Sequence, residues 1–136
     1  MADALNIIQR AVERGVGQVD LVRAATACVR AIRPLASVGN KPDILAAQAA
    51  AERWANTPSA VNAGLALAAV PNLDGLREND PADIDVCLSV AAAMAAVAAA
   101  NSDFAVVAAP LAVEFAEKVA AGRGIDLAPI VTAEFL

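Results

Sequence analysis

Residues 84–100 read IDVCLSVAAAMAAVAAA, and nothing after Asp85 in this stretch is charged. Asp80, Pro81 and Asp83 precede it. An aspartate suits the N-cap, a proline suits the first helical position, and a second acid in the first turn complements the helix dipole. Asn101, Ser102 and Asp103 end the run. The spacing therefore predicts a helix of about 19 residues, roughly 28 Å long. Its larger side chains form no single stripe. Ile84, Leu88, Ala91 and Ala95 share one face, Val86, Val90, Met94 and Val97 a neighbouring one, and Ser89, Ala92, Ala96 and Ala100 make a third line that is small rather than polar. A helix apolar all round is either buried in a bundle or spans a membrane.

Composition favours the bundle. Alanine dominates the stretch, and insertion into a bilayer draws its energy from Leu, Ile, Phe and Val. The flanks carry acids and no Lys or Arg anchor. A membrane hairpin with the second apolar run, residues 104–115, is the competing reading, but Pro110 and Glu114 interrupt that run. Alanine is also the strongest helix former, and small faces let helices approach closely. The expected architecture is an all-α, single-domain bundle over residues 1–136, with about six helices around the Ala-rich one.

Working outward, Asp3 caps a first helix to Arg14, with Leu5, Ile8 and Val12 as its stripe and Gly15 in the left-handed position that ends it. Asp20 begins a second helix that Pro34 ends or kinks. Pro42 and Asp43 start a third, running to Trp54. Thr57 as N-cap and Pro58 at the first position start a fourth, which stops at Pro71. Ser102 or Asp103 caps the last long helix. Its apolar stripe is Phe104, Val107, Leu111, Phe115 and Val119, and Glu114 and Lys118 form an i,i+4 pair. Pro110 lacks an amide donor and would cost about 3 kcal/mol in a regular interior, so a kink or a new helix start is expected there. The tail, about residues 125–136, is apolar and poorly helical because of Pro129, and is expected to lie in a groove of its own subunit or a neighbour.

The chain has 136 residues, 37 of them alanine, and a net charge of −5. The acidic balance disfavours nucleic acid as a partner. Residues 1–40 hold five Arg against three acids, a balance of +2; residues 41–136 hold five bases against twelve acids, a balance of −7. Such asymmetry suits head-to-tail assembly or partner docking. So apolar a chain has difficulty covering every face as a monomer, and self-association is the simplest remedy.

There is no histidine and no tyrosine. That removes Ser-His-Asp and Cys-His mechanisms and most zinc sites. Cys28 and Cys87 each sit in an apolar helical pattern and read as buried thiols. The glycines match no phosphate loop. Asp74, Glu78, Asp80, Asp83 and Asp85 are dense enough to interest a divalent cation, but their register does not match an EF-hand, and a solvated acidic loop is expected. No metal, cofactor or catalytic residue is expected. The candidate interaction residues are the arginine stripe Arg23, Arg30 and Arg33, with Arg10 and Arg14 extending it if the first two helices pack side by side. They also include the acidic loop at Asp74, Glu78 and Asp80, and the tail at Ile130, Phe135 and Leu136.

The expected function is a non-enzymatic, self-associating structural or adaptor subunit. The alternatives are a binder or inhibitor of another macromolecule, acting through the arginine stripe or the acidic loop, and a small membrane-active hairpin. Expected partners are a second copy, whose acidic loop would meet the arginines, or another protein. Residues 1–15 lack a basic segment followed by an apolar one, so the expected location is cytoplasmic or inside an intracellular or viral particle.

Overall fold

A computed structural model describes residues 3–35, 41–70, 84–121 and 123–135. Among these the chain is all-α: α1 (Ala4–Glu13), α2 (Gln18–Ile32), a 3-10 turn (Arg33–Leu35), α3 (Lys41–Asn56), α4 (Ala60–Ala68), α5 (Ile84–Ala100), α6 (Ser102–Ala120) and α7 (Ala128–Ala133), with no strand. Asp74, Glu78, Asp80 and Leu136 lie outside the described residues, as do Pro81 and Asp83.

α5 is the central element. It packs against α6, α3, α2 and α4, and its described side chains are buried or half-buried all round. α6 crosses α5, α2 and α1, while α7 rests on α1 and α2. One hydrophobic core joins them, and more than half of its buried apolar residues among those described are alanine. Among the described residues no helix is long and apolar enough to cross a membrane.

The helix ends follow local chemistry. Asp3 accepts from the Asn6 amide at 2.8 Å and caps α1. α1 closes in a Schellman motif: the Gly15 amide donates to the Val12 carbonyl and the Val16 amide to the Ala11 carbonyl. Gly15 has φ of 80° there, a conformation open to glycine at little cost. Several expected boundaries shift by one to three residues. α2 starts at Gln18 with Gly17 as its N-cap, so Asp20 lies in the first turn, where the dipole favours it. Ser59, not Thr57, caps α4, because its hydroxyl reaches the Asn62 amide at 3.1 Å. Asn101 caps α6 through the Asp103 amide at 2.9 Å while its own amide still bonds to Val97 of α5. A single residue thus turns one helix into the next.

Pro110 starts no new helix, and Pro129 does not keep the tail from being helical. α6 runs through Pro110 as one helix from Ser102 to Ala120. The lost bond is confined to one carbonyl, and the turns on either side are held by buried Ala108, Ala109, Ala112 and Val113. Pro129 stands in the first turn of α7, where its missing amide removes nothing, so the tail is a seventh helix.

The chief surprise is which face of α6 points inward. The large stripe was expected to fill the core. Only the end of that stripe does so, with Val119 buried and Phe115 half-buried against the core; before it, Ala105, Ala108, Ala109, Ala112, Val113 and Ala116 are buried, while Phe104, Val106 and Val107 are exposed and Leu111 half-buried. Alanines bring the helices close together, and the larger residues of α6 between 104 and 111 are displaced outward.

Candidate interaction surfaces

Two of the three stripe arginines have partners within the chain. Arg30 pairs with Glu52, Arg33 donates to Gln48 Oε1 at 2.8 Å, and Gln48 Nε2 donates to Glu52 at 3.0 Å. Gln48 is buried, and this chain of bonds ties the end of α2 and the turn after it to α3, although the Arg30 side chain stays largely exposed. Arg23 is exposed as well. It lines a cleft of about 310 Å³ with Thr26, Arg30, Glu52, Asn56 and Glu134, in which charges of both signs face each other. Arg10 and Arg14 are exposed on α1, but α1 rests mainly on α6 and α7 and touches α2 little, so the packing needed for a continuous basic patch is missing. The tail residues pack in cis. Leu127 and Val131 are buried, and Ile130 and Phe135 lie half-buried against the same core.

The polar residues that tie the bundle together were not singled out by sequence. Glu117, on α6, accepts from the Ala4 amide at 2.6 Å and the Leu5 amide at 3.3 Å, capping α1 from across the fold. Burial raises its carboxyl above the ordinary 4.5; Asp3 and Asp126 push it the same way, against the lowering effect of the two amides. Gln18 donates to the Ala98 carbonyl at 2.8 Å, satisfying the C-terminal end of α5. Arg123 does the same for α6 through the carbonyls of Val119, at 2.8 Å, and Ala121, at 3.1 Å. No sequence spacing marks the partners of Glu117 and Gln18, since those separations run from 80 to 113 residues, whereas Arg123 reaches only two and four residues back.

Lys118 lies over the Phe115 ring, 4.5 Å from its centroid, in place of the expected pairing with Glu114. The Cys28 thiol is pushed up to about 12, by burial first and then by Glu117 and Glu134. Cys28 and Cys87 are both buried. Among the described residues no three Asp, Glu, Cys or His side chains converge as metal ligands would.

Two apolar surfaces remain open. On α4 only Ala66 is buried; Val61 is 73% exposed and Leu67 64%, with Leu65 also exposed and Leu45 of α3 open as well. The other is a groove of about 570 Å³ between α1 and α6. Comparison with protein-family models, with curated proteins and with solved structures gives no match for this chain.

Proposed function

We propose that the protein is a non-enzymatic helical subunit that associates with itself through α4, as a structural or adaptor part of a larger assembly. The observation that carries this reading is α4 itself. It has no charged residue, it is built from Ala, Val, Leu and Gly with a single Asn, and yet six of its nine residues are exposed. Such a face marks an interaction surface.

Its pattern suits another copy of itself. Ala60, Gly64 and Ala68 recur every four residues on the exposed side, and a Cβ added at Gly64 would meet nothing within 4 Å. At 100° per residue Leu67 flanks this small strip on one side, with Val61 and Leu65 on the other. Two such faces related by a two-fold axis would bring small residues together and bury the larger ones beside them, the self-complementary arrangement of a symmetric dimer. The absence of histidine and the pairing of Arg30 and Arg33 with Glu52 and Gln48 favour this reading over catalysis or anion binding.

Cysteine cross-linking tests it. Val61→Cys and Leu67→Cys are expected to give covalent dimers with a short bismaleimide at micromolar protein, because the two native thiols are buried. Arg14→Cys, exposed on α1, is the control. Equal cross-linking from all three positions, or none from either α4 position, contradicts the proposal.

A further inference from the structure

We infer that the groove between α1 and α6 is a docking site for an amphipathic helix of a partner protein that carries Lys or Arg beside its apolar stripe. Leu5 and Val12 form one wall, and Val106, Val107, Pro110 and Leu111 the other. Val107 is 54% exposed, far more than a residue whose packing is complete within the chain. Residues 106–114 span about 12 Å of helix, and residues 5–13 the same. Apolar anchors at i, i+4 and i+7 of an incoming helix span about 10 Å, so two turns fit the length of both walls.

The rim specifies the charge of that helix. Glu13 stands on the α1 wall and Glu114 on the α6 wall, with Gln9 between them. Neither Arg10 nor Arg14 lines the groove, and Lys118 is turned onto Phe115, so among the described residues no basic side chain occupies the rim. An apolar floor between two carboxylates complements an apolar stripe bordered by cations.

The surface is separate from α4, which packs on α3 and α5. It therefore stands or falls independently of self-association.

The test uses a fluorescein-labelled Leu/Lys peptide of about 14 residues, four helical turns, and a Leu/Glu peptide of the same pattern. Fluorescence anisotropy with the full-length protein is expected to show salt-sensitive binding of the Leu/Lys peptide and none of the Leu/Glu peptide. Val107→Asp is expected to weaken binding about tenfold or more, and Glu13→Gln with Glu114→Gln several-fold. Asp20→Asn with Asp43→Asn, acids outside the groove, is expected to leave binding unchanged. Val107→Ser serves as a milder variant if circular dichroism shows that Val107→Asp does not fold. Three results overturn the inference: no binding of the Leu/Lys peptide, equal binding to the Val107 variants, or an equal loss from the Asp20/Asp43 pair. Loss of an oligomer on Val107→Asp also overturns it, since the occupant is then a second copy.

Discussion

Ala112 and Val107 lie five residues apart on α6 and make opposite predictions from those their chemistry alone suggests. Ala112 is fully buried and Val107 is 54% exposed. Ala112→Leu adds three carbons to a site with no free space, and overpacking of this kind costs about 1–3 kcal/mol. Val107→Ala removes two methyl groups already half in water, a loss of less than about 1 kcal/mol. Alanine's higher helix propensity returns about half a kcal/mol of that. At about 4 °C per kcal/mol for a domain of this size, Ala112→Leu is expected to lower the melting temperature by roughly 4–12 °C and Val107→Ala to move it hardly at all. Urea and thermal melts followed by circular dichroism at one protein concentration measure both. If Val107→Ala destabilises more than Ala112→Leu, the large stripe of α6 is its core face and the account of the bundle is wrong.

Glu117→Ala is expected to destabilise by about 1 kcal/mol, because two amides at the start of α1 lose their acceptor, whereas Glu117→Gln keeps an acceptor and is expected to cost less. The folded-state pKa of Glu117 is raised, so between 4.5 and that value the native state binds the proton more tightly than the unfolded chain. Its contribution to stability therefore grows as pH falls through that window, and in urea titrations the stability of wild type relative to Glu117→Gln should rise as pH falls through it. Cys28 acts at the other end of the scale: unfolded it ionises near 9 and folded only near 12, so stability is expected to fall as pH rises from 9 towards 12. Iodoacetamide should accordingly modify Cys28 in denaturant and leave it intact in the native protein, as mass spectrometry of the peptide containing it will show. Val131→Ala, at a fully buried site of α7, is expected to cost about 1–2 kcal/mol in a urea melt, and an unchanged midpoint would mean that the tail does not pack on its own chain.

Much of the fold was legible in the sequence. The all-round apolar character of residues 84–100 marks a central helix, and α5 is packed by four others. Asp3 and Gly15 marked both ends of α1 because capping is local chemistry. Pro129 misled because proline opposes a helix interior but not a first turn, and position within the helix is not evident in a bare tail. The α6 stripe misled for a deeper reason. Periodicity finds the face with the largest residues, but an alanine-rich neighbour rewards close approach, and the small face goes inward. The candidate sites were harder still. Arg30 and Arg33 looked free because their partners, Glu52 and Gln48, lie on another helix with a spacing no motif records. Glu117 and Gln18 were invisible for the same reason. The apolar surfaces on α4 and between α1 and α6 became apparent only once the buried faces were known.

The central claim is that the outward face of α4 is an interface between copies. Light scattering behind size exclusion, over a dilution series without detergent, tests it most directly when wild type is run beside Val61→Asp/Leu67→Asp. The account predicts a wild-type mass of a dimer or more that falls on dilution, and a helical monomer for the variant at every concentration. A wild type that is monomeric throughout, or a variant that assembles as the wild type does, contradicts it.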